Sequence, residues 1–183
     1  MLTQVPEEED IERVRGDVTA LPLRDNNLDI IVMKQVLDYL EEAAQRKALV
    51  EVYRTLRENG QFILSALISP DSQVDEVTNE LYTRRETIIG RVPIKKLIPN
   101  EELLKTWLQE TGFRGIESVY RYDIPLSVED FRTSFGLDAE RTRALSELYG
   151  DILARDKQHV FRGGDFQGSP QLIEQGLIVR SAK

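Results

Sequence analysis

Apolar and polar positions along the first third of the chain fall into blocks that predict strand, helix and strand. Residues 11–15 (Ile11, Glu12, Arg13, Val14, Arg15) alternate apolar and charged, the pattern of a short half-exposed strand. The run from Leu28 to Met33 is almost continuously apolar and rich in β-branched side chains, which suits a strand buried on both faces of a parallel sheet. Ala44, Ala48, Leu49, Val52, Tyr53 and Leu56 then recur on one helical face, with Gln45, Arg46, Lys47, Glu51, Arg54 and Glu58 opposite. Gly60 stands where such a helix needs a left-handed terminating residue, and residues 61–67 resume an apolar strand. Strand, helix and strand with short connections make a right-handed crossover unit of an α/β sheet.

The second half predicts a mixture. Residues 71–89 are helix-compatible with weak periodicity through Val74, Val77, Leu81 and Ile88, and residues 90–99 read as a loop carrying Lys95 and Lys96. Asn100 caps a helix whose early acids Glu101 and Glu102 suit the helix dipole. That helix buries Leu103, Leu104, Trp107 and Leu108 and closes at Thr111-Gly112-Phe113. Residues 116–124 alternate as a strand, which puts Ile116, Ser118, Tyr120 and Tyr122 on one face. Ser127-Val128-Glu129-Asp130 opens a short helix in the manner of a capping box. Residues 138–157 form a polar amphipathic helix using Leu145, Leu148, Tyr149 and Ile152. Residues 163–170 read as a loop and residues 173–180 as a final strand.

Composition narrows the class. A chain of 183 residues suits one domain over residues 1–183 with a real core, and 40% hydrophobic with 31% charged residues is ordinary for a globular protein. The net charge of −8 argues against nucleic-acid binding, which relies on Lys and Arg to neutralise phosphates. With no cysteine the chain has no disulfide, zinc–thiolate site or thiol nucleophile, and no metal is expected. No apolar run reaches membrane-spanning length, and the first ten residues do not read as a signal peptide. A cytoplasmic protein is the expectation.

Chemistry concentrates in Arg15-Gly16-Asp17-Val18-Thr19-Ala20-Leu21-Pro22, followed by Asn27-Leu28-Asp29-Ile30-Ile31-Val32-Met33 and by Glu58-Asn59-Gly60 before Gln61-Phe62-Ile63-Leu64. In this order and spacing the pieces resemble the middle of a class I S-adenosylmethionine-dependent methyltransferase with a type 11 methyltransferase domain. The resemblance extends to the C-terminus, where Thr111-Gly112-Phe113 and Leu177-Ile178-Val179-Arg180 fit the family's last helix and its last, antiparallel strand. It implies an α/β, Rossmann-like methyltransferase sheet, mostly parallel with an antiparallel C-terminal strand.

By resemblance, Asp17 accepts from the adenine amino group of S-adenosylmethionine and the Val18 N–H meets a ring nitrogen, while Met33, Lys34 and Gln35 flank the methionine part. A carboxylate suits an exocyclic amine, and ligands of such sheets lie beyond the carboxyl ends of parallel strands. The plainer alternatives are a polar turn at Gly16-Asp17 and a core Met33 beside two surface residues. Asp29 reads as structural, and Asp38-Tyr39 as a helix-flanking surface pair. The single histidine, His159, reads as solvent-facing, and Gly163, Gly164 and Gly168 as loop glycines rather than a phosphate cradle. Tyr82, Arg84 and Arg85 fall where the family places a substrate-covering segment, here residues 68–99.

The family's glycine-rich cofactor loop has no counterpart before Gly16. The sheet is therefore expected to be incomplete on its N-terminal side, with the first two strands missing and the cofactor site incomplete. The central strand would then carry an unpaired edge, which proteins avoid. Two remedies follow: the strand over residues 11–15 moves in beside it, or another chain pairs there, as a homodimer or as a separate partner. Two function classes remain open at this point. One is a methyltransferase of unspecified acceptor whose cofactor binding is weak or partner-dependent; the other is a non-catalytic binding or assembly module on the same fold.

Overall fold

The computed structural model describes residues 12–69, 76–93, 97–156, 161–166 and 169–183. Its sheet has five strands: β1 (Leu28–Lys34), β2 (Leu56–Ile68), β3 (Arg114–Ser127), β4 (Arg162–Phe166) and β5 (Ser169–Ala182). The order is β1-β2-β5-β3, with β4 pairing β5 alongside this path. β1 pairs β2 in parallel, whereas β5 runs antiparallel to β2, β3 and β4. Four strands thus share one direction and β5 opposes them, inserted between β2 and β3. Five helices complete the fold: α1 (Glu42–Thr55), α2 (Glu76–Ile88), α3 (Glu101–Thr111), α4 (Val128–Phe135) and α5 (Ala139–Arg155).

One face of the sheet is packed by α1 and α3. Phe62, Leu64, Ala66 and Ile68 of β2 join Leu177 and Val179 of β5 against Leu49, Val52, Leu104, Trp107 and Leu108. Caps set the ends of α3 as its sequence demands: Asn100 accepts from the Leu103 N–H at 2.8 Å, and Gly112 turns the chain at φ 110°. The far end of the opposite face is covered by α2, α4 and α5 around Leu81, Leu145, Leu148, Tyr149, Ile152 and Leu172.

Several sequence expectations need correction. Residues 12–16 form no strand, and Ile11 lies outside the described residues; a bridge between Asp17 and Ala20 closes a turn instead. The run from Leu28 to Met33 is buried on one face only. Met33 is buried, whereas Ile30 and Val32 are 59% and 65% exposed. Gln45 is buried rather than on the polar face, and its Nε2 donates to the carbonyls of Leu40 at 3.0 Å and Leu97 at 2.8 Å. The left-handed residue after α1 is Asn59, at φ 64°, not Gly60. Gly60 serves close approach instead: a Cβ there would lie 2.9 Å from the Arg57 carbonyl and 3.2 Å from that of Asp29.

Two corrections concern β-structure. The pairing of β3 with β5 is irregular between Ser118 and Tyr120, and each such shift flips the alternation of side chains. Ser118 therefore pairs with Val179 on the α3 side and reaches Glu101 at 2.5 Å, while Tyr120 pairs with Ile178 on the opposite face. In the stretch read as a loop over residues 163–170, the described residues belong to strands, with Gly163 and Gly164 of β4 pairing with Leu172 and Gln171 of β5. His159, Gly168, Lys95 and Lys96 lie outside the described residues.

Candidate functional site

The segment carrying Asp17 is held to α1 by one ion-paired couple. Arg54 donates to the Leu21 and Leu23 carbonyls at 3.0 and 2.9 Å and to Asp25 at 2.5 Å, while Glu51 accepts the Leu21 N–H at 2.8 Å. The two are bonded to each other at 2.8 and 2.9 Å. That Arg54 bond holds the Glu51 carboxyl below its ordinary value, so the clamp is charged at neutral pH. Both had read as solvated helix residues; nothing in the helical pattern distinguishes a clamp from a surface.

The turn itself is fixed by Asp17. Its Oδ1 accepts from the Thr19 N–H and Oγ1, each at 2.8 Å. Those two bonds, with a smaller attraction from Lys47, lower the carboxyl pKa and keep the group ionised. Oδ2 accepts no hydrogen bond from the described residues, which leaves an exposed carboxylate oxygen for an amine donor. Val18 packs against the main hydrophobic cluster, which also contains Met33. Met33 is buried there, and Lys34 points to solvent. Gln35 leaves the strand at φ 51°, its N–H donating to the Ser65 carbonyl at 2.7 Å.

Beyond Gln35 the chain enters a 3-10 turn, Leu37–Tyr39, and here Asp38 departs from expectation. It is buried, and its Oδ1 accepts the Leu67 N–H at 3.2 Å, which ties this turn to the end of β2. Asp38 and Gln35 line a cavity of about 160 Å³ together with Tyr39, Tyr82, Arg85, Glu86, Phe131 and Glu174. Within it the Tyr82 hydroxyl donates to Glu174, and the Arg85 guanidinium lies over the rings of Tyr82 at 4.7 Å and Phe131 at 5.1 Å. Arg85 Nη2 donates to Glu86 at 3.0 Å. Burial, reinforced by Glu174, pushes the Tyr82 hydroxyl well above its ordinary pKa, so it stays a neutral donor. Burial alone would discharge Arg85, but Tyr82, Tyr149 and Glu174 around it raise its pKa and keep it cationic.

The arrangement offers a carboxylate-bearing turn held to α1 and a cavity lined by residues just beyond β1. Residues 1–64 match the family described as a methyltransferase domain. The uncharacterized methyltransferase YcgJ of Bacillus subtilis (strain 168) is 25% identical over 145 residues, covering 76% of this chain and 53% of that protein. An uncharacterized protein of Haemophilus influenzae is 27% identical over 111 residues, covering 61% of this chain and 41% of that protein. The crystal structure of YcgJ superposes at a TM-score of 0.71 with 19% identity, covering 92% of this chain and 69% of that one.

The chain has the class I methyltransferase fold.

This methyltransferase-like chain spans about half the length of the curated relatives it matches. β5 is antiparallel, as the C-terminal sequence implied, but the sheet is not mostly parallel in its pairing: among the described strands only β1 with β2 is a parallel pair, because every other pair contains β5. Of the residues singled out from sequence, Val18 and Met33 meet in one cluster, and Gln35 joins the end of β1 to the cavity. Tyr82 and Arg85, placed by analogy alone, line that cavity, whereas Arg84 pairs outside it with Glu80 and Asp151. Asp38, Glu86 and Glu174 gave no sequence signal, because a buried carboxylate and a surface one look alike without a partner. Among the described residues no group of three or more His, Cys, Asp or Glu is placed to hold a metal, and no helix is long and apolar enough to cross a membrane.

Proposed function

We propose that this chain supplies the adenine-side and acceptor-side half of an S-adenosylmethionine-dependent methyltransferase. The observation that carries this reading is the fixed, ionised and exposed Asp17 turn, with Val18 packed against the core cluster of a methyltransferase-type sheet. Asp17 Oδ2 would accept from the adenine amino group, the Val18 N–H would meet the ring, and Met33, Lys34 and Gln35 would flank the methionine part. The residues fit that role chemically, since Asp17 is ionised, exposed and rigidly held. When bound, the sulfonium supplies an electrophilic methyl, and the protein's task is positioning. Residues 68–99, which contribute Tyr82 and Arg85 to the cavity, form the segment over the acceptor. A cytoplasmic setting suits this reading.

An association along the β1 edge belongs to the same proposal. β1 hydrogen-bonds only to β2 among the described residues, and the open face beside it exposes Ile30 and Val32. An unpaired edge next to exposed β-branched side chains supports a sheet incomplete on this side and an association there, as a homodimer or with a separate chain. The same exposed face favours the second reading, a non-catalytic assembly module.

Calorimetry with S-adenosylhomocysteine distinguishes the two. The enzymatic reading expects micromolar binding by the chain, weakened about tenfold in Asp17→Asn, the loss of one charge-assisted hydrogen bond. Absence of binding, with association intact, supports the assembly module.

A further inference from the structure

The cavity beyond Gln35 is lined by a cation with an unmade hydrogen bond. Arg85 is 5% exposed, and its guanidinium carbon lies 4.7 and 5.1 Å from the ring centres of Tyr82 and Phe131, which line the cavity with it. Nη2 is used on Glu86 at 3.0 Å, whereas Nε has no hydrogen-bond partner among the described residues. The nearby Tyr149 hydroxyl does not satisfy it, since that oxygen is without a partner as well. A buried guanidinium N–H without an acceptor is costly, and an oxygen brought by a ligand removes that cost.

Size, wall and charge limit what that ligand can be. The cavity holds about 160 Å³, close to the ~150 Å³ that accommodates one benzene ring. Aromatic side chains line it, with Phe131 and Phe135 stacked at 5.7 Å, which suits a flat apolar body. Carboxyl side chains outnumber guanidinium groups around it, Asp38, Glu86 and Glu174 against Arg85 and Arg91, so a ligand anion would add to an excess of negative charge. A hydroxyl brings a proton that itself needs a buried acceptor, whereas a carbonyl oxygen only accepts. We propose that this cavity binds a small neutral aromatic compound through a carbonyl group on its ring, the oxygen accepting from Arg85 Nε. As a methyl-acceptor pocket the cavity rests on the methyltransferase reading, because Gln35 lines it just beyond β1; the recognition of the carbonyl does not.

The test is binding to the chain alone, read by calorimetry and thermal shift without cofactor. Acetophenone is the probe; ethylbenzene keeps its ring and two-carbon arm without the oxygen, and benzoate replaces the neutral carbonyl with an anion. Acetophenone is expected to bind at least about tenfold tighter than either, the effect of one hydrogen bond from a charged donor. Arg85→Met keeps the length of the side chain without its N–H groups, and is expected to bring acetophenone down to the level of ethylbenzene. Circular dichroism and the melting temperature establish whether Arg85→Met is folded. If it is not, the comparison of the three probes on the native chain decides alone. Equal binding of acetophenone and ethylbenzene, tighter binding of benzoate, a preference for acetophenone that survives in folded Arg85→Met, or no binding of any probe overturns the proposal. S-adenosylhomocysteine binding is read in parallel on the same samples. Its failure with acetophenone bound rejects the methyltransferase reading and leaves the carbonyl site standing, whereas its success with acetophenone rejected does the reverse.

Discussion

The two faces of the sheet at β1 and β2 have similar sequences and opposite surroundings. On one, Phe62, Leu64 and Met33 lie under α1 and α3 and are buried. On the other, Val32 stands beside Ile63, and Ile178 beside Tyr120, with α2, α4 and α5 reaching only the far end. Tyr120 is 62% exposed there. Equal hydrophobicity on two faces thus does not mean equal burial. What it signals is a strand built to be covered twice, and in this chain only one cover is supplied by the described residues.

The largest contrast between the faces should come from the covered side. Trp107, fully enclosed between α1 and the sheet, should lose ~3–5 kcal/mol on truncation in Trp107→Ala, measured by urea unfolding. A loss below ~1 kcal/mol would mean that α3 is not part of the cooperative core, and the asymmetry between faces would then be an artefact of a loosely docked helix.

The covered end of the second face makes a pH-dependent prediction. Burial, then Glu174, pushes the Tyr82 hydroxyl well above 10, and burial likewise raises Tyr149. A phenol whose folded pKa is raised stays protonated in the native state after the unfolded chain has ionised. Its contribution to stability is therefore fully present below pH ~10 and lost as pH rises, with a slope approaching ~1.4 kcal/mol per pH unit for each such group. Melting temperatures from pH 8 to 11.5 should fall above pH ~10 and fall less steeply in Tyr82→Phe. An unchanged slope in that variant would show that Tyr82 is accessible to hydroxide, and that α2 does not seal this end.

The contrast also explains what could be read from the sequence. Periodicity located α3 and α5, because Leu104, Trp107 and Leu108 or Leu145, Leu148 and Ile152 each bury one stripe that capping residues bracket. It failed wherever a local irregularity or a distant partner decided the outcome. The register shift before Tyr120 cannot be seen in an alternating string, and it moves Tyr120 and Tyr122 to the other face, where Tyr122 meets Ser65 at 2.6 Å. Gly176 records that crossing: a Cβ there would lie 2.4 Å from the Tyr122 ring. At the candidate site, Asp17, Val18 and Met33 could be nominated because a spaced motif names them. Asp38 could not, since its burial depends on the end of β2, almost thirty residues away.

The smallest stability effect is expected where the faces differ most. Ile30→Thr and Val32→Thr together keep β-branched side chains on the strand while removing apolar surface from the open side. If nothing covers that side in the free chain, stability at low protein concentration should move by no more than ~0.5 kcal/mol, as for an ordinary surface change. Association should respond far more strongly. Light scattering at rising concentration should show the native chain as a dimer and the double variant as a monomer, because an interface binding only the folded state stabilises by mass action. A native chain that stays monomeric at high concentration, with the same double variant still neutral, would remove the homodimer and leave the separate partner as the cover. A loss of several kcal/mol at low concentration would mean instead that this face is already covered within the chain, and the two sides of the sheet would no longer differ.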